Sequence, residues 1–412
     1  MSPLTRRGFL ARAGAAVAAA LAWPVRRLFA DDGASGLVVH EWGVLVQASG
    51  SVASEGADAA SDLPGFVHAR RGDHVRFMAA YQEALETPVA IRKPVVHFYG
   101  PPGAVRFRAR FAAGRPLVWW PAADWDETGV AWDLVLAAEP PVEPKAVDPG
   151  HWFARLREPA AMYCRVGDDA ERFLYYDGES RYASPLVVRR DDRGTLRVEN
   201  AGAEAAEDVY LVAGRGGPVC HRERLGPGET WSSPEPLQAD PAVHLAGRLV
   251  AAGLTEAEAR TIAGIWEEEF FRPERLVLVH RLAEGVYDRL LPAEVEPRPE
   301  SFVRVGLVLV TDQDPDLARA VDALVADLAA EDYGTRERAE AELSRIGPAA
   351  VAGLRRAEEA STDAHTRHRA RVVRLAIEAR AGGDAVSTEL EDLYRDWKRT
   401  GRVEPWAAQR GG

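Results

Sequence analysis

Cysteine is almost missing, with only Cys164 and Cys220 in 412 residues. Two cysteines allow one disulfide in an oxidising compartment or two buried free thiols, and they give no paired-cysteine zinc spacing. His-Glu-x-x-His, a calcium-binding loop and the Gly-x-Ser-x-Gly turn of serine hydrolases are also absent. Gly214-Arg215-Gly216-Gly217 is followed by no helix, so it is not a phosphate loop, and no cofactor motif is found. No apolar run approaches the roughly 20 residues that span a bilayer. Basic residues are in deficit, 51 against 63 acidic, for a net charge of −12. That balance argues against nucleic acid or an anionic membrane as a partner, since binding phosphates needs positive potential.

The first thirty residues carry no acid but five arginines: Arg6, Arg7, Arg12, Arg26 and Arg27. Thr5-Arg6-Arg7-Gly8-Phe9-Leu10, followed by the alanine-rich run from Ala13 to Ala22, resembles a twin-arginine signal peptide. The signal-bearing residues are Arg6, Arg7, Phe9 and Leu10. Cleavage after Ala30 or after Ala22 fits the small-residue preference. Without the leader, 46 basic residues face 63 acidic ones, so the mature chain stands at −17. The resemblance implies a protein passed by the twin-arginine export machinery to the periplasm, cell envelope or exterior, with no stable membrane span after cleavage.

Residues 31–239 read as β-rich. Val105, Phe107, Ala109 and Phe111 alternate with Arg106, Arg108 and Arg110, a period of two that predicts a strand with one buried face. Leu186-Val187-Val188 and Leu196-Arg197-Val198 flank Asp191-Asp192-Arg193-Gly194 as a hairpin. From about 240 the period changes. Thr255-Glu256-Ala257-Glu258 is a capping box, and Ala259, Ile262, Ala263, Trp266 and Phe270 share one helical face behind it. Strands at 276–282 and 302–311 follow, so 240–313 is expected as a small α/β extension packed on the β domain. Beyond Asp314 the stripes Val321/Leu324/Val325/Leu328, Ala339/Leu343/Ile346, Val351/Leu354 and Ala370/Val373/Ile377 predict helices, with another through Leu390 and Trp397. The expected fold class is α+β multidomain: a β-sandwich-like body, the α/β extension, helical hairpins over 314–400 and a flexible tail over 401–412.

Thr335-Arg336-Glu337-Arg338-Ala339 and Leu343-Ser344-Arg345-Ile346-Gly347 resemble HEAT-like (PBS-lyase-type) repeats. That resemblance implies a scaffold for a protein partner or for a neighbouring domain. With at most two hairpins, the helices are expected to dock on the β domain. His40-Glu41-Trp42-Gly43, Asp62 to Val67, Lys93-Pro94-Val95-Val96-His97-Phe98-Tyr99 and Arg172 to Gly178 resemble an uncharacterised family of exported bacterial proteins. That resemblance implies no activity.

His40 and Glu41 invite a metal or acid–base reading, but neighbours on a strand face opposite ways, so the two cannot hold one ion together. A metal-dependent enzyme would need His40 and His97 to converge. Trp119, Trp120, Trp125 and Trp132 fall within fourteen residues, interleaved with Asp124, Asp126, Glu127 and Asp133. Either these rings are core and loop anchors under a proline-rich connection, or, since aromatic planes beside carboxylates suit a polysaccharide-binding groove, the four tryptophans are ligand-binding residues. They also suit a glycoside hydrolase drawing its acids from Glu41, Asp124, Asp126 and Asp133. One of the adjacent pair Trp119 and Trp120 should be core, and Trp125 and Trp132 should be the more exposed. The reading favoured throughout is a binding or scaffolding protein rather than an enzyme, with no cofactor.

Overall fold

The Arg106/Arg108/Arg110 alternation becomes the strand Gly103–Arg110, with Val105, Phe107 and Ala109 buried and the arginines on the other side. The computed structural model describes residues 36–48, 63–69, 88–191, 194–214, 216–232, 234–311 and 313–380. The arginine-rich leader, most of the stretch between Ala48 and Pro88 and the helix proposed around Leu390 lie outside the described residues.

A nine-stranded sheet is the frame. From edge to edge its strands are Val219–Leu225, Ala206–Val212, Val277–Leu282, Ser301–Thr311, Val38–Ala48, Pro88–Tyr99, Leu174–Arg181, Gly114–Trp120 and His68–Ala69. Val38–Ala48 runs parallel to Ser301–Thr311 and antiparallel to Pro88–Tyr99. A second sheet joins Ala293–Glu296, Gly103–Arg110, Gly129–Ala137, Tyr163–Val166 and Asp169–Glu171, with the short strand Asp124–Trp125 paired to Gly129–Ala137. A third holds Leu186–Arg190, Leu196–Asn200 and Thr230–Ser232. The protein is α+β.

Each face of the large sheet buries a different set of side chains. On one face Phe98, Tyr176 and Val308 join Phe107, Trp132 and Leu134 of the second sheet and Val188, Val198 and Trp231 of the third in one cluster. On the other, Trp42, Val95, Trp120 and Tyr175 meet Leu245, Ile262 and Phe270 of the helices Pro241–Ala251, Glu256–Ile265 and Glu267–Phe271, with Trp266 at the junction of the last two. Burying one such large side chain is worth about 1.5–3 kcal/mol, so the two faces together hold the sheet between its covers. The adjacent Trp119 and Trp120 go one to each cluster, as strand alternation demands.

The expected boundary near 240 does not separate an extension from a β domain. Val277–Leu282 and Ser301–Thr311 are interior strands of the large sheet, and the helices between 241 and 271 cover its face. The change of period was read as a change of unit because strand partners far apart in sequence leave no local trace.

The helices expected to dock on the β domain spend their apolar stripes on one another. Val321, Leu328, Ala339, Leu343, Leu354, Ala370 and Ile377 close on one another, in a cluster that contains no sheet residue. The helices are Leu317–Asp327, Tyr333–Ile346, Val351–Ala360 and Ala364–Arg380. Gly347, at φ 71, ends the second one in a backbone region that favours glycine. Polar contacts join this array to the body: Arg275 donates to the Ile346 carbonyl at 2.6 Å, and Arg190 pairs with Asp316 at 2.9 Å.

Candidate functional site

Glu41 and Arg304 sit on neighbouring parallel strands in direct register. Arg304 donates from Nε to Glu41 Oε2 at 2.9 Å and from Nη2 to Oε1 at 3.1 Å, a two-point grip suited to a planar guanidinium. The hydroxyl of Tyr176 donates to the same carboxylate, as does that of Tyr287 at 3.4 Å. Gly43 and Gly306, paired across the two strands, make room for Tyr287. A Cβ on Gly43 would lie 3.1 Å from its hydroxyl, and one on Gly306 would lie 2.6 Å from its ring. Burial works against the Arg304 charge, and Glu41 more than restores it. Burial also pushes the Tyr176 and Tyr287 hydroxyls up, so both act as donors. Glu41 is fully buried and belongs to this internal pair, so it is not available as a catalytic acid.

His40 points to the opposite face from Glu41, as alternation requires. It is paired across the strands with His97, so the two candidate metal ligands do converge. What they converge on is Glu258. His40 Nδ1 lies 2.8 Å from Oε2, and His97 Nδ1 lies 3.3 Å from Oε1. Glu258 Oε2 also accepts from the backbone N–H and hydroxyl of Thr255, so the capping-box residue joins a helix start to two strands. Burial opposes its ionisation, yet hydrogen bonds from His40 and His97 outweigh that and hold the carboxyl well below the usual carboxylate range.

An ionised carboxylate only accepts, so His40 Nδ1 carries a proton. His97 Nε2, 3.1 Å from the Leu156 carbonyl, carries one for the same reason. Among the described residues no group of three or more His, Cys, Asp or Glu side chains is placed to hold a metal ion.

Asp177 was not among the residues singled out from sequence. Its Oδ1 accepts from the Gly178 N–H at 2.7 Å, and its Oδ2 accepts from the Tyr175 hydroxyl at 3.2 Å. Burial pushes its carboxyl up to about 7, against the pull of Arg92, of the Gly178 and Tyr175 hydrogen bonds and of Lys93. Lys93 occupies the left-handed region at φ 54, where strand register shifts, and its Nζ lies 4.3 Å from the Trp152 ring and 4.6 Å from the Trp266 ring. Such backbone strain in a non-glycine residue costs on the order of 1–3 kcal/mol. On the same face the indole N–H groups of Trp42, Trp120 and Trp266 are buried with no hydrogen-bond partner among the described residues.

The tryptophan-rich segment divides differently from expectation. Trp119, Trp120 and Trp132 are buried; the Trp132 Nε1 donates to the Pro121 carbonyl at 3.0 Å. Trp132 was expected to be exposed, but it lies on the inward side of Gly129–Ala137 and packs against Phe107 and Tyr176. Trp125 is 48% exposed and rests on Trp119, with ring centroids 5.1 Å apart. It lines a recess with Arg108, Arg110, Asp124, Asp126, Gly129, Val130 and Ala131, of about 400 Å³ including open solvent. Asp124, Ala131 and Arg108 form one cross-strand row, so the small Ala131 is flanked on one face by a carboxylate and a guanidinium. Asp126 Oδ1 accepts from the Thr128 N–H at 2.7 Å and hydroxyl at 2.9 Å, and those bonds hold its carboxyl below its usual range. Asp133 lies outside the recess, gripped at two points by Arg106 at 2.6 and 2.9 Å.

No protein-family model matches the chain. No curated protein matches it. Among solved structures, it is similar to the Fcho1 mu homology domain of Danio rerio with a bound Eps15 peptide, at 11% identity and a TM-score of 0.28, covering 68% of this chain and 97% of that one. It is similar also to the yeast delta-COP-I mu-homology domain complexed with a Dsl1 WxWxV peptide, at 8% identity and a TM-score of 0.25, covering 68% and 96%. Likenesses this faint carry no argument about what the protein binds.

Both cysteines are free and buried. No helix among the described residues is long and apolar enough to cross a membrane.

Proposed function

We propose that this is an exported envelope or periplasmic protein that binds its target without transforming it, and that the target sits in the recess beside Trp125. The observation that carries the reading is the recess itself, lined by Asp124, Asp126, Arg108 and Arg110 and bordered by the half-exposed Trp125. Few, well-placed polar groups around an aromatic surface are how small binding sites fix orientation. Cleavage of a glycosidic bond would need a second carboxyl kept protonated by an apolar setting. Asp126 is exposed and held in its ionised form, Asp133 is engaged by Arg106, and Glu41 is sealed in the interior.

The test is cosedimentation of the purified mature protein with an envelope fraction from the producing cells. Trp125→Ala should cut the retained fraction about tenfold and leave the melting temperature unchanged; equal retention by the variant removes the recess from the account.

Export itself rests on the leader residues. Replacing Arg6 and Arg7 with Lys keeps the charge but changes a receptor-read address, so precursor should accumulate in the cytoplasm. Normal export of that variant would point to a different route.

A second reading is favoured by the helical array, whose apolar stripes are satisfied within its own cluster. Its outer faces are then open to a protein partner, the role its HEAT-like resemblance implies.

A further inference from the structure

Resting on the binding reading above, we infer that the recess takes a zwitterion: an α-amino acid, or the free amino-acid end of a larger molecule. Its carboxylate lies on Arg108 and Arg110, and its ammonium lies on Asp124. Three arginines alternate along Gly103–Arg110, and the residue opposite each decides what it can do. Asp133 stands opposite Arg106 and grips it at two points. Ala131 and Gly129 stand opposite Arg108 and Arg110 and offer no side-chain acceptor. Among the described residues neither of those two guanidinia has a carboxylate within ion-pair distance.

The small residues that leave the arginines uncommitted also make the floor. Asp124 stands in the same cross-strand row as Arg108, on the far side of Ala131, and among the described residues no cation lies within ion-pair distance of it. The strands bearing the two charges are two ladder spacings apart, about 9.5 Å. Two charge-assisted hydrogen bonds of about 2.8 Å then leave roughly 4 Å between the groups that make them. That is close to the span from the ammonium to the far carboxylate oxygen of an α-amino acid. Trp125 pairs with Val130 and belongs to the other side of the ladder, so it borders the recess and the ligand does not need its ring.

Charge narrows the ligand further. Asp126 is engaged by Thr128 and keeps its negative charge at the rim, and Glu294 flanks Arg108 on the side away from Ala131. A bare anion therefore meets three acids, and a bare cation meets two guanidinia. A ligand that carries both signs sets each against its opposite. Arg110 and Asp124 are exposed, so added salt weakens the pairing.

The test is calorimetric titration of the purified mature protein at low salt with glycine, L-alanine, D-alanine and meso-diaminopimelate. N-acetyl-L-alanine serves as the carboxylate alone and L-alaninamide as the ammonium alone. At least one zwitterion should bind, and each half-ligand should bind it about tenfold more weakly or worse, the loss expected of one charge-assisted hydrogen bond. Arg108→Gln and Asp124→Asn should each cost about tenfold on the same ground, and Ala131→Leu should fill the floor and abolish binding. All three variants should melt like the parent. Either source of the zwitterion satisfies the inference: preference for meso-diaminopimelate marks an end pendant on a polymer, and binding of glycine or alanine marks the free amino acid.

An absence of binding by every zwitterion overturns the inference. So does a half-ligand that binds as tightly as the zwitterion, or zwitterion binding indifferent to Arg108→Gln, Asp124→Asn and Ala131→Leu. Competition separates this from the broader reading. If Ala131→Leu loses the envelope fraction but no zwitterion displaces the parent protein from it or binds alone, the zwitterion class fails and the recess stands as a binding site.

Discussion

Replacing Glu41 with Gln is expected to destabilise the protein by about 3–5 kcal/mol, because it leaves the buried Arg304 charge with only the half-exposed Asp288 as counter-ion. Arg304 is held at two points by Glu41 and donates also to Asp288 and to the Leu291 carbonyl. Gln keeps the shape of Glu and one acceptor oxygen, so the loss reports the missing charge and not a cavity. The double variant Glu41→Leu/Arg304→Met should recover much of the stability, since an apolar pair of similar volume often matches a buried ion pair. Urea unfolding of the parent and both variants measures this. A Glu41→Gln protein within 1 kcal/mol of the parent would mean that Arg304 finds enough compensation in Asp288, Leu291 and water.

Asp177→Asn should act in the opposite direction, and only at the alkaline end. The folded carboxyl titrates near 7 against a reference value of 3.8. Between those two values the folded chain holds a proton that the unfolded chain has released. Stability therefore falls as pH rises from about 4 through about 7, and the loss is complete above that. About three units correspond to about 4 kcal/mol at most. Asn keeps an acceptor for the Gly178 N–H and cannot ionise. The variant should match the parent near pH 4 and exceed it by a few kcal/mol at pH 8, read from unfolding curves across the range. A variant no more stable than its parent at pH 8 would show that the folded Asp177 ionises without cost, with Lys93 and Arg92 supplying the compensation.

What was legible in the sequence was local. The Val105/Phe107/Ala109 alternation, the hairpin about Asp191 to Gly194 and the Thr255–Glu258 capping box each depend on residues a few positions apart, and each stands where expected. The opposite facing of His40 and Glu41 followed from the same rule. The second use of Glu258, which is to receive both histidines, had no local sign, because helix and strands meet only in the fold. Trp132 was misplaced because its aspartate neighbours suggested a loop, whereas Val130, Trp132 and Leu134 alternate with Asp133 and Val135 as a half-buried strand does. Asp177 had one usable signal, a lone acid directly after Leu174-Tyr175-Tyr176 and before a glycine. Arg108 and Arg110 were read correctly as a solvated face, but the partner strand that turns that face into one side of a recess could not be seen.

The pairing of Val38–Ala48 with Ser301–Thr311 sets the order in which the chain becomes a protein. Glu41 and Arg304 stand 263 positions apart, and the strand bearing Arg304 is also the neighbour of Val277–Leu282. On a ribosome the first strand emerges long before its parallel neighbour exists. Until then one of its edges is open and its glutamate has no guanidinium. Closing so long a loop is slow, and an unfilled edge invites foreign strands in the meantime. The middle of the sheet therefore closes late, after nearly all of the β-forming chain has been made. A chain stalled or truncated before residue 301 would be left with a gap in its centre, not merely with a missing end.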